Sequence, residues 1–145
     1  MSASFASQEW ADSLSAHLQD SAAVRTESMS WVFGPIVLEV DADAEHAFEA
    51  TALRLDLHEG ESRGVNVVGS GVAKVVPFVL GGSLARWRAV FGGQLSLVDA
   101  VLDSRLRATG DLPTLARHRG LLDAIASAGG AVETTWQDAE PTVPA

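Results

Sequence analysis

Between Ile36 and Leu80 the chain offers four strand-like segments with only turns between them. Parallel neighbours need a crossover of roughly a dozen residues or more, so spacing this tight implies antiparallel pairing and excludes repeated βαβ units. Gly34-Pro35 breaks the chain first. Ile36, Leu38 and Val40 then alternate with Val37, Glu39 and Asp41, the period of a half-buried strand. Asp41, Asp43 and Glu45 mark a turn. Next, Leu53, Leu55 and Leu57 face one way and Arg54, Asp56 and His58 the other. Upstream, Phe48, Ala50 and Ala52 fall on the opposite parity, which predicts a bulge or a late strand start near Thr51. Glu59-Gly60-Glu61 reads as a hairpin loop, residues 64–68 as a third strand and Gly69-Ser70-Gly71 as a turn. Residues 73–80 read as a fourth strand, and Pro77 within it predicts an edge position or a bulge.

Helical patterns flank this block. Residues 1–30 read as one helix with loose ends, with Ser4 or Ser7 as N-cap and Glu9 and Asp12 in the early turns. Trp10, Leu14 and Leu18, with Ala11 and Ala22, give it an apolar face. After Gly81-Gly82, Ser83 caps a helix striped by Leu84, Trp87 and Phe91 and ended by Gly92-Gly93. Ser96 caps a short helix holding Leu97, Val98, Val101 and Leu102. Residues 104–110 form a fifth strand, with Leu106 and Ala108 inward and Arg105, Arg107 and Thr109 outward. Asp111 then caps one long helix with Pro113 in its first turn. Its apolar face is Leu115, Leu122 and Ile125, flanked by Leu112 and Leu121, and Gly129-Gly130 ends it. Residues 131–136 are a sixth strand or a docked extension. The expectation is an α+β domain over residues 1–136, with a single five-stranded, mostly antiparallel sheet whose one face is covered by helices. Residues 137–145, with Pro141 and Pro144, read as a flexible tail.

Composition removes several function classes. At 145 residues and 47% hydrophobic the chain can bury a core without staples. It has no cysteine, which excludes disulfides, thiolate metal sites and a cysteine nucleophile, and no tyrosine to act as acid or base. The longest apolar run, residues 75–80, is far short of the ~20 residues of a membrane span. Net charge is −9, a poor match to nucleic acid. Residues 1–61 hold twelve acids against Arg25 and Arg54, so the acidity lies in the first half. Such a surface either serves solubility or repels anionic lipid on one side and leaves the other to dock, and the salt dependence of vesicle binding separates the two. With no basic region and apolar core at its start, the chain reads as cytoplasmic.

No catalytic motif survives inspection. Gly69-Ser70-Gly71 lacks the spacing of a nucleophile elbow. His58-Glu59 begins like a zincin helix, but Ser62 stands where the second histidine belongs. Asp41, Asp43 and Glu45 open like a calcium loop, yet His46 replaces its glycine and Ala52 its closing glutamate. His17 and His46 read as exposed, and His58 lies on a polar strand face. His118 shares the side of Leu115, Leu122 and Ile125. It is either a boundary histidine with a satisfied hydrogen bond or a polar anchor for a ligand head group in an apolar cavity. On the second reading, His118→Leu weakens an acidic ligand more than a neutral one. Trp31, Trp87 and Trp136 fill the core or line a lipid site, since an indole brings large apolar area with one donor to satisfy.

Residues 73–125 carry a further pattern: an apolar strand, a Gly/Ser turn and a helix with Trp87, then Phe91-Gly92-Gly93 and Leu95. A second helix with Asp99-Ala100 follows, and Leu106-Arg107 leads into Gly110-Asp111-Leu112. This resembles the sterol carrier protein type-2 family, the non-specific lipid-transfer domains, over about residues 5–128. The resemblance implies a five-stranded sheet packed on helices around an apolar tunnel that binds fatty acids, acyl-CoA, sterols or phospholipids without chemistry. Burying an acyl chain gains about 0.8 kcal/mol per CH₂, so such a tunnel needs little beyond apolar lining. The chain departs from some members in ending Thr142-Val143-Pro144-Ala145 rather than in a peroxisomal Ser-Lys-Leu signal. Its single lysine leaves a CoA phosphate to Arg86, Arg88, Arg105 and Arg107, which favours a free acyl chain or similar metabolite.

The expected function is therefore non-catalytic binding or transfer of a hydrophobic ligand, with no cofactor and no metal. Inward parity gives the tunnel lining as Leu38, Leu55, Phe78, Trp87, Phe91, Leu106, Leu115, His118, Leu122 and Ile125. Either the last helix or the Trp87–Phe91 helix moves to admit the ligand. Expected partners are a lipid or hydrophobic small molecule, no nucleic acid, at most transient membrane contact, and a homodimer as an open option. The alternative is a protein-interaction or accessory module of the same fold without lipid, offering a sheet edge at Pro77. A cone-shaped isomerase fold fits worse, because there the helices precede a long curved sheet.

Overall fold

The N-terminal segment read as a single helix is divided three ways. In the computed structural model, which describes residues 2–69 and 77–136, it gives β1 (Ala3–Ser4), α1 (Gln8–Asp20) and α2 (Ala22–Glu27). Ser7 is the N-cap of α1, its hydroxyl accepting from the Trp10 N–H. Ser21 closes α1 and caps α2 by accepting from the Val24 N–H. A serine that satisfies an orphan donor of the next helix lets the chain turn there. Trp10, Ala11, Leu14 and Leu18 are buried as expected, while Ala22 lies exposed past the break and Val24 takes the inward position.

The strand block then forms as its alternation demands: β2 (Ile36–Val40), β3 (Thr51–His58), β4 (Glu61–Val68) and β5 (Phe78–Gly82). β3 starts late, at Thr51, and its register shift lies further on, between Asp56 and Leu57. The hairpin loop is Glu59-Gly60, with φ of +46° and +89°, the doubly left-handed turn whose twist matches its strands. β4 begins at Glu61, earlier than the expected residue 64. With β6 (Arg107–Thr109) the sheet order is β4-β3-β2-β5-β6. β2 and β5 are parallel and the other pairings antiparallel. β5 is thus paired on both sides, and the edge expected at Pro77 is not there. Pro77 stands just before Phe78, the first paired residue, where a missing N–H removes no ladder bond. The 70–76 part of the expected turn and fourth strand, and the expected tail at 137–145, lie outside the described residues.

After β5 come α3 (Leu84–Phe91), α4 (Leu97–Leu102), α5 (Leu112–Arg117), α6 (Arg119–Ala131) and β7 (Thr134–Thr135). The expected strand over 104–110 shrinks to β6 because the Arg105 and Leu106 N–H groups both turn back to the Ala100 carbonyl. The expected long helix breaks at His118, whose φ of −107° and ψ of +35° separate α5 from α6. Leu112, expected beside the apolar face, is exposed. Gly129-Gly130 does not end α6, which runs on to Ala131. A Cβ at Gly129 would run into the Phe91 ring, and one at Gly130 would stand 2.7 Å from the Phe91 carbonyl oxygen. This pair lets α6 lie directly on α3, whereas Gly92 does cap α3. β7 pairs in parallel with β1, which settles residues 131–136 as a strand ending, but in a separate two-stranded sheet.

Candidate functional site

The inward alternation of the large sheet makes one apolar surface. Ile36, Leu38 and Val40 of β2, Leu53, Leu55 and Leu57 of β3, and Phe78 and Leu80 of β5 are all buried in a single cluster. The inward residues of α1, α3, α5 and α6 complete the same cluster. Three indoles sit in it with their one donor satisfied. Trp10 Nε1 donates to Thr134 Oγ1 at 2.8 Å, Trp31 Nε1 to the Gly34 carbonyl at 2.7 Å and Trp87 Nε1 to the Glu39 carbonyl at 2.9 Å. A buried indole left without a partner would cost about 1–3 kcal/mol, so each bond fixes a ring orientation.

Nine of the ten residues expected to line a tunnel meet here. Leu38, Leu55, Phe78, Trp87, Phe91, Leu106, Leu115, Leu122 and Ile125 all belong to this buried cluster. The tenth, His118, is half-buried at its margin. Its Nδ1 lies 2.8 Å from the Thr114 carbonyl oxygen and its Nε2 3.3 Å from Ser30 Oγ. The break between α5 and α6 places it there, facing the segment that leads into β2.

That segment adds Ser30 and Phe33, which sequence reading missed, to Trp31, which it offered as core or lipid lining. Trp31 and Phe33 close on His118 with ring centroids 5.1 and 5.5 Å away, both edge-on. Trp31 also meets Phe78 at 5.2 Å. Trp31 is fully buried, but Val32 (54%) and Phe33 (38%) after it are exposed, and Phe33 gives an apolar rim beside the polar pair Ser30 and His118. The available signal was the run Met29-Ser30-Trp31-Val32-Phe33, apolar at every position but one and lacking helical period. Its role depends on contact with His118, which is remote in sequence.

The arginines are largely committed elsewhere. Arg107 bridges Asp41 (3.0 and 2.8 Å) and Glu39 (3.3 Å) across the outer sheet surface. The hydrogen bonds to Asp41 above all raise its pKa further, so it stays charged. Arg86 reaches the Arg105 carbonyl at 3.4 Å. Phe91 also borders a small cleft of about 290 Å³ with Leu95 and Ala126. A larger cleft of about 530 Å³ runs between α1–α2 and α6, lined by His17, Asp20, Glu27 and Asp123 over small residues. Among the described residues no group of three or more histidines and carboxylates is arranged to hold a metal, and no helix is long and apolar enough to cross a membrane.

Known structures share this architecture. A crystal structure of sterol carrier protein 2 superposes with a TM-score of 0.81 at 27% identity, over 88% of this chain and 98% of that one. A solution structure of a Thermus thermophilus protein, described as possibly a sterol carrier protein, gives 0.80 at 26% identity over 93% and 94%. The apo form of sterol carrier protein 2 from Yarrowia lipolytica gives 0.53 at 15% identity over 83% and 88%, a likeness of fold. No protein-family model matches the chain. No curated protein sequence matches it either. The chain folds as a sterol carrier protein 2-like α+β domain, as the pattern over residues 73–125 implied.

Proposed function

We propose that the chain binds a lipid or similar hydrophobic molecule non-covalently and holds it away from water, for transfer or for presentation to a partner. The observation that carries this reading is the likeness to sterol carrier protein 2 over almost the whole of both chains. The apolar sheet face and its aromatic rim at Trp31, Phe33 and His118 agree with it. The ligand passes the rim and lies along the expected lining, from Phe78 and Leu115 toward Trp87 and Phe91. Each buried CH₂ contributes about 0.8 kcal/mol, so a long acyl or isoprenoid chain needs no charged anchor to bind well. The break at His118 lets α5 swing without unwinding α6. Of the four arginines that could hold a CoA phosphate, Arg107 is already neutralised by Asp41 and Glu39, which favours a free lipid over a CoA ester.

Native mass spectrometry of the protein purified from its own cells tests this, followed by thermal unfolding of the delipidated protein with fatty acids, fatty alcohols and sterols. A co-purified lipid and a rise in Tm with at least one class are expected. A bare protein that no such ligand stabilises would overturn the reading.

A further inference from the structure

The polar group at the rim has a fixed hydrogen-bond direction. His118 Nδ1 lies 2.8 Å from the Thr114 carbonyl oxygen, and a carbonyl only accepts. Nδ1 therefore carries a proton in either charge state. In the neutral ring Nε2 is then a bare acceptor, to which the Ser30 hydroxyl donates at 3.3 Å. The anchor behind this choice is firm. Thr114 is buried, and its hydroxyl donates to Asp111 Oδ2 (2.8 Å) while accepting from Arg117 Nη2 (3.1 Å). The edge-on contacts with Trp31 and Phe33 leave the imidazole little room to turn over.

We propose that neutral His118 makes the site selective for lipids whose polar end is a hydroxyl, such as a long-chain alcohol, over the carboxylate of the same chain. This rests on the lipid-binding reading above and names its head-group class. The ligand O–H replaces that of Ser30 at Nε2, and the freed Ser30 hydroxyl donates to the ligand oxygen. A carboxylate has no proton to offer and sets its negative oxygens against the same lone pair. Arg117, the cation on the same helix, is turned toward Thr114. A hydroxyl, rather than the acidic head group that the anchor reading of His118 implied, is then the group that depends most on His118.

The test uses delipidated protein in alkaline buffer and displacement of a fluorescent fatty probe by dodecanol, dodecanoate and methyl dodecanoate. Dodecanol should bind about 10-fold tighter than dodecanoate, the worth of one hydrogen bond. The methyl ester, which keeps the chain but has no donor, should bind more weakly than the alcohol. His118→Leu should cut the alcohol-to-acid ratio several-fold. His118→Gln should do the same while keeping a donor for the Thr114 carbonyl, because an amide can present either a donor or an acceptor outward. Dodecanoate binding as tightly as dodecanol, or a ratio unchanged in both variants, would overturn the inference. If none of the three ligands displaces the probe, this inference falls, while the lipid-binding reading falls only if the probe and the sterols fail to bind as well. Nitrogen-15 NMR of the imidazole tests the premise without ligand: the account requires a protonated Nδ1 and a bare Nε2, and the opposite tautomer refutes it.

Discussion

The two ends of the apolar interior are closed by different means. At the end formed by β1, β7 and α3, rings pack on rings: Phe5 meets Trp10 at 4.9 Å, Phe91 at 5.8 Å and Trp136 at 4.2 Å. The β1–β7 pairing ties the chain down beside them, and two glycines bring α6 against Phe91. At the other end Trp31 is just as buried, but its neighbours Val32 and Phe33 are exposed and a histidine interrupts the apolar surface. One end is built as core. The other is core that stops at water, where helix α5 ends and the chain can yield.

Substitutions should separate the ends by the size and kind of their effect. Trp10→Ala, at the closed end, should cost about 3–5 kcal/mol in urea unfolding, because it opens a cavity and leaves Thr134 without the indole donor. Gly130→Ala should cost about 1–3 kcal/mol, although alanine is the better helix former by about 1 kcal/mol. The added methyl meets the Phe91 backbone oxygen, which cannot swing aside as a side chain can. Phe33→Ala, at the open end, should cost about 1 kcal/mol or less in stability, yet weaken lipid binding roughly 3–10-fold. A Phe33→Ala loss as large as that of Trp10→Ala, with binding intact, would make the two ends equivalent and remove the rim from the account.

Much of the fold was legible because period and punctuation act locally. Alternation at Ile36–Val40 and Leu53–Leu57 set the inward faces, and Ser7, Ser83 and Ser96 capped helices as read. What escaped was decided by contacts remote in sequence. Gly92-Gly93 and Gly129-Gly130 are the same dipeptide. The first caps a helix, while the second clears Phe91 from inside one, and no local pattern distinguishes them. Pro77 read as an edge or bulge signal because nothing in its own strand revealed β6 on the far side. For the site, nine of the ten residues that parity put inward lie in one buried cluster. Trp31 and His118 were each singled out, but their meeting with Ser30 and Phe33 stayed hidden, since it exists only where the His118 break brings α5 against the approach to β2.

The most direct measurement follows the indole N–H signals of delipidated protein by NMR as dodecanol is added. Trp31, at the rim, and Trp87, on the lining, should shift together with ligand, while Trp10, bonded to Thr134 at the closed end, stays in place. Shifts confined to Trp10 and Trp136, or four unmoved indoles at saturating ligand, would contradict an apolar interior that takes its lipid through the Trp31–His118 end.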